Sequence, residues 1–214
     1  YTIIAIIKPL TTPLIKPIAL SSFSPKGTIF TALDIKCIIN PNININNENN
    51  RKEIIRKLYI EMIKLYQGDA KRIHHFTKVN AYGKLIAELE QVSPETYFII
   101  DAATLTHDIG IHTCEEKYGN CNGKLQEQEG PELAKELLGK IGVNEEISKR
   151  VQYLIGHHHT YNNIDGLDYQ ILVESDFLVN LYEDGASKEA VETAYNKIFK
   201  TEAGKKICRE MFGI

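Results

Sequence analysis

His107-Asp108, an adjacent imidazole and carboxylate, closes an apolar run that begins at Tyr97-Phe98-Ile99-Ile100 and continues through Ala102-Ala103 and Leu105. Such a run has no use for a charged dyad. A carboxylate taken into a core costs several kcal/mol unless it is paired, hydrogen-bonded or coordinated, and no basic residue follows until Lys117. His75 stands upstream beside an apolar stripe, and His157-His158-His159 follow downstream. Farther on, Asp176 lies inside the apolar stretch Ile171 to Val179. A helix C-terminus favours imidazolium, which accounts for one of three consecutive histidines more readily than for all three. The order His, His-Asp, His cluster, Asp, with long gaps, is that of a metal centre assembled from several helices. Imidazoles mixed with carboxylates suit Fe, Mn, Zn or Co rather than Ca or Mg, which favour all-oxygen shells. One or two such divalent ions would lower the pKa of a water from ~15.7 towards ~7 and take up charge from a phosphoryl oxygen.

The elements that must position these groups read as helices. Ile54, Ile55, Leu58, Met62 and Leu65 recur at three- and four-residue intervals, and Gly68 ends that stripe. A second stripe holds Ile73, Phe76, Val79, Gly83, Ile86 and Leu89. His75 is close to it, whereas His74 is rotated ~100° away. Ser93-Pro94 is a cap followed by a first-turn proline and opens a third helix running to Gly110. Thr113 to Glu129, polar and broken by Gly119 and Gly123, reads as a loop. Pro131 then begins a helix closed by Gly139 to Gly142, and Asn144 caps the next, through Val151 and Ile155. After a loop at Asn162 to Gly166, helices are expected over Tyr169 to Tyr182, Ser187 to Phe199 and Thr201 to Phe212. No strand-like alternation appears past residue 50, so the expected body is all-α, over residues 51–214.

Before residue 50 the composition differs. Five of the seven prolines (Pro9, Pro13, Pro17, Pro25, Pro41) and the alternation Ile43-Asn44-Ile45-Asn46 fall there. Residues 1–50 are read as an irregular or disordered extension with no assigned function. A chain of 214 residues with formal charge −3 lacks the clustered basic face of a nucleic-acid scaffold. Its four scattered cysteines read as reduced thiols. No apolar run reaches the ~18 residues of a membrane span, so no membrane partner is expected and the setting is read as cytoplasmic. Gly-x-Ser-x-Gly, P-loop and Gly-x-Gly-x-x-Gly patterns are absent, which argues against serine hydrolases, P-loop NTPases and dinucleotide enzymes.

From Arg51 to Tyr182 the sequence resembles the HD-domain superfamily of metal-dependent phosphohydrolases. The resemblance rests on Arg72-x-x-His75-x-x-x-Val79 and on Leu105-Thr106-His107-Asp108-Ile109-Gly110. It also rests on the His-His pair after Ile155-Gly156 and on Glu174-Ser175-Asp176-Phe177-Leu178. It implies an HD-type helical bundle in which His75, His107, Asp108 and Asp176 hold a first metal. His158 and His159 would match the extra ligands of two-metal members, and His159-Thr160 is similar to the His-Thr of diadenosine-polyphosphate-cleaving members.

Several positions depart from the pattern. Gln126 stands where many two-metal members carry a histidine, with Glu127 and Glu129 as carboxylates beside it. Ile111 replaces a frequent lysine, and Ile111-His112 stands where guanosine-tetraphosphate hydrolases carry acids. No Gly-Tyr-Pro of cyclic-di-GMP phosphodiesterases follows the histidines. His112 is a further candidate ligand. Phosphate-binding candidates are Arg72, Lys117, Lys124 and Lys149-Arg150, with Arg72 favoured because three residues before His75 lies on nearly the same face. The expected function is a metal-dependent phosphohydrolase acting on a small phosphorylated substrate, expected to be a nucleotide, with Asp108 and Arg72 as catalytic residues. A non-catalytic metal- or nucleotide-binding module and a di-iron oxygenase on the same scaffold are the rival readings.

Overall fold

In the computed structural model of the chain the described residues are 47–214, and most of the N-terminal extension (residues 1–50) lies outside them. The described residues form nine α-helices and no strand: α1 Glu48–Leu65, α2 Ala70–Leu89, α3 Pro94–Thr106, α4 Ile111–Tyr118, α5 Gly123–Ile141, α6 Glu145–Ile155, α7 Leu167–Glu183, α8 Lys188–Lys197 and α9 Glu202–Phe212. The architecture is the all-α one expected from the apolar spacing.

Local chemistry sets most of the helix starts. Ser93, Asn144, Ser187 and Thr201 each turn a side-chain oxygen onto a backbone N–H of the first turn, satisfying one of the four donors a helix start leaves free. Pro94 follows its cap at a position that lacks nothing by lacking an N–H. Burial sets the rest. Helix α3 is so enclosed that every residue from Phe98 to Thr106 is buried. It packs against α1, α2, α6 and α7, and α1 seats Ile54, Leu58 and Met62 in the same core. A second apolar cluster, around Ile86, Ile100, Ile171, Leu178 and Phe199, brings α8 and α9 to the other end.

One stretch corrects the sequence reading. Thr113 to Glu129 is not a loop: α4 continues to Tyr118, and α5 already begins at Gly123. Asn122 caps that start by accepting from Leu125 N. Pro131 therefore sits inside α5 rather than opening it. A mid-helix proline costs ~3 kcal/mol, and packing of α5 against α6 and α4 offsets that local preference. The third helix also ends earlier than expected, at Thr106, so His107 to Gly110 form a turn that leads into α4.

Candidate metal centre

The centre is built where helices end. His107 is the C-cap of α3, and its Nδ1 lies 2.9 Å from the Thr104 carbonyl. That carbonyl belongs to the last turn, whose oxygens have no partner within the helix. It can only accept, so Nδ1 carries the proton and the Nε2 lone pair faces inward. His158 repeats the device after α6, with Nδ1 2.7 Å from the Ile155 carbonyl. His75, in α2, lies with Nδ1 3.0 Å from Glu183 Oε2, and Glu183 is held in turn by the Lys78 ammonium. All three imidazoles thus present Nε2 to the interior.

Asp108 is fixed through its backbone. The Tyr66 hydroxyl donates to the Asp108 carbonyl at 2.6 Å, and the turn lies tight against α5. A Cβ added at Gly110 would sit 3.0 Å from Gly130 N, so two glycines permit an approach that side chains would block. Asp176 enters from the middle of α7.

Four residues converge. His75 Nε2 lies 3.3 Å from His107 Nε2, 3.2 Å from Asp176 Oδ1 and 3.5 Å from Asp108 Oδ2. His107 Nε2 lies 3.4 Å from Asp108 Oδ2 and 3.5 Å from Asp176 Oδ1. Neighbouring donor atoms around one transition-metal ion, with bonds of about 2.0–2.2 Å, have separations of this size. Asp176 Oδ1 is buried and has no hydrogen-bond partner. Neutral imidazoles bring only lone pairs to it, so the cluster is a set of acceptors facing one another. A cation fits that donor set; buried side chains alone do not satisfy it.

The electrostatics carry the same mark. Burial pulls the His75 and His107 pKa values down, yet the Asp108 and Asp176 carboxylates outweigh it and raise both above 6.5. Burial pushes Asp108 up, but His107 and His158 hold it well below the carboxylate range. Asp176 is likewise held low, by His107 and His75 against burial. Without a cation, proton uptake by the imidazoles is what relieves the convergence.

A second group shares Asp108. Its other oxygen, Oδ1, lies 3.7 Å from His158 Nε2, and Asp108, His158 and His159 offer ligand atoms all within 4.8 Å of one another. Burial and the neighbouring His158 lower the His159 pKa to about 4. A cavity of about 310 Å³ opens over His75 and Asp108, lined also by Arg72, Asn180 and Glu183. A larger cavity, of about 920 Å³ among α1, α2 and α3, contains none of these donors.

The remaining candidates have other work. Arg72 reaches the cavity with its guanidinium 2.5 Å from Asp69 and 2.6 Å from Glu115. Lys117 pairs with Glu129, Lys149 with Glu145, and Arg150 with Asp165 and Asp168. Glu127 accepts from His159 N and the Thr160 hydroxyl, while Glu129 takes Lys117 and Tyr118. His112 lies with its ring tilted against that of Tyr66, centroids 4.4 Å apart, and stands 3.7 Å from Asp69. His157 hydrogen-bonds to the Tyr153 carbonyl, and His74 is exposed. Sequence reasoning missed Glu183 and Lys78. A usable signal existed, since Glu183 lies seven residues after Asp176 on the same helix face and Lys78 three after His75.

The chain matches no known protein-family profile and no curated protein sequence. Among solved structures it is similar to one described as a predicted HD superfamily hydrolase from an uncultured Thermotogales bacterium. The two share 25% sequence identity with a TM-score of 0.53, over 76% of this chain and 84% of that chain. That likeness supports the HD-domain superfamily as the setting of the dyad, and the His/Asp cluster fits a hydrolase of that kind. No helix among the described residues is long and apolar enough to cross a membrane.

Proposed function

We propose that this chain, similar in fold and in ligand order to the HD-domain superfamily, is a metal-dependent phosphohydrolase acting on a small phosphorylated molecule, with nucleotides as the expected class. The observation that carries the reading is the grouping of His75, His107 and Asp108, with Asp176 Oδ1 against both imidazoles and lacking a hydrogen-bond partner. In this reading those four side chains would hold one divalent ion, and Asp108, His158 and His159 would hold another. Fe, Mn, Zn and Co are the metals that such a donor set favours. When bound, the ions supply Lewis acidity towards a phosphoryl oxygen and make water a better nucleophile near neutral pH.

The chain's own groups do the positioning. Asp108 keeps 16% side-chain exposure where Asp176 keeps 4%, so it is the carboxylate that meets the cavity. There it would help to orient the attacking water. Arg72, held at the rim by Asp69 and Glu115, faces the phosphoryl group. Lys117, Lys149 and Arg150 are already paired with carboxylates, so attraction of phosphate falls to Arg72, to Lys71 on the cavity lining and to the ions. The free thiols Cys114, Cys121 and Cys208 are in keeping with a reducing, cytoplasmic setting.

The test is phosphate release from a panel of small phosphorylated compounds, with Mn, Fe, Co or Zn supplied to metal-free protein. Wild type is expected to turn over at least one class, and Asp108→Ala to lose both hydrolysis and bound metal. Full activity in Asp108→Ala would sink the mechanism. Oxygen consumption by iron-loaded protein would point to the oxygenase, and metal binding without turnover to a binding module.

A further inference from the structure

We propose that the side-chain oxygen of Gln126 is a ligand of the second ion, which makes that half of the centre the weaker one and the one more tolerant of hard metals. The proposal rests on the two-ion reading above. Its ground is the approach of one amide oxygen to both imidazoles of the second group, at His158 to a nitrogen whose lone pair faces it. Gln126 Oε1 lies 3.2 Å from His158 Nε2 and 3.0 Å from His159 Nε2. The proton of neutral His158 is on Nδ1, engaged by the Ile155 carbonyl. Its Nε2 therefore meets an amide oxygen as one acceptor meets another. The first half of the centre shows the same pattern of lone pairs facing one another.

The start of α5 is shaped for this approach. Asn122 caps it, and a Cβ at Gly123 would fall 2.7 Å from the His159 ring. The helix can begin against that ring only because residue 123 has no side chain. Gln126, three residues on, is then delivered to both imidazoles.

The donor sets of the two halves differ accordingly. Two imidazoles and two carboxylates face the first ion. Two imidazoles, one shared carboxylate oxygen and a neutral amide oxygen face the second. Carbonyl oxygen suits Mn and Mg better than Zn, and one fewer carboxylate lowers the attraction for any divalent ion. Loading should therefore proceed in two steps.

The experiment titrates metal-free protein with Mn and then Zn by calorimetry, with elemental analysis after desalting. Wild type should bind two equivalents and retain one on desalting. Gln126→Leu should keep the first equivalent and weaken the second by at least ~10-fold. Gln126→His should retain two equivalents of Zn. Circular dichroism on each variant confirms that the helices persist. An unchanged second equivalent in Gln126→Leu overturns the proposal. A wild type that saturates at one equivalent, or binds none, overturns the two-ion reading itself, a result distinct from the first.

Discussion

Helix α7 carries two buried carboxylates two residues apart, and their surroundings are opposite. Glu174 has no exposure, yet its oxygens accept from Lys200 N at 2.6 Å, Thr201 N at 2.9 Å, the Gln170 amide at 2.8 Å and the Thr201 hydroxyl at 2.5 Å. Asp176, rotated ~200° around the same helix, faces imidazoles and another carboxylate, with Oδ1 lacking a hydrogen-bond partner. Burial raises the Glu174 pKa while its donors oppose the rise; at Asp176 burial is overridden and the pKa falls. Glu174 is finished by the fold: it ties the start of α9 to α7. Asp176 is left unfinished by the fold, as the proposed role of metal ligand requires. A buried charge is thus weak evidence for function until its partners are counted.

The comparison can be broken most severely at Glu174. Glu174→Ala would leave the Lys200 and Thr201 N–H groups without their acceptor, at ~1–3 kcal/mol for each unsatisfied group. A loss of several kcal/mol in urea unfolding is expected, with metal stoichiometry per folded molecule unchanged. Reduced metal binding in the folded fraction would show that the two carboxylates are not separable.

Glu183→Gln tests the metal side at one remove. The amide still reaches His75 but no longer favours the Nδ1–H tautomer as a carboxylate does, so metal affinity should fall ~10–100-fold. Competition with a chromophoric chelator would read it, and an unchanged affinity would make Glu183 a surface partner of Lys78 only. Smallest in effect is Asp176→Asn in the metal-free protein. Because His75 and His107 hold the Asp176 pKa low in the folded protein, removing the charge should lower metal-free stability modestly at neutral pH, and it should abolish the thermal stabilisation that added metal gives wild type. If metal still stabilises the variant as it does wild type, Asp176 is not a ligand.

Much of this was legible because its signals are local. Ser93-Pro94, Asn144, Ser187 and Thr201 announce helix starts within four residues, and the structure has a helix beginning at each. The ligand candidates stood out because His107, Asp108 and Asp176 sit among apolar neighbours. The stretch from Thr113 to Glu129 was misread because Gly119, Gly123 and Pro131 are local breakers, whereas burial of Ile111, Cys114 and Gly130 against distant helices is not local at all. Glu183 escaped for a related reason: its partner His75 is 108 residues away. Arg150 and Lys117 were counted as phosphate-binding charges because their carboxylate partners were invisible in one dimension.

Tyr66 sets a lower limit on how far the chain can be trimmed. It caps the end of α1, is fully buried, and gives its hydroxyl to the Asp108 carbonyl. A version beginning at Ala70 would keep every proposed metal ligand and still lose that strut, along with the Ile54, Leu58 and Met62 side chains that cover α3. The dyad turn would then be free to swing. For expression or crystallisation, any fragment must therefore keep α1 and its cap Asn47, and not begin at the first residue whose chemistry is of interest.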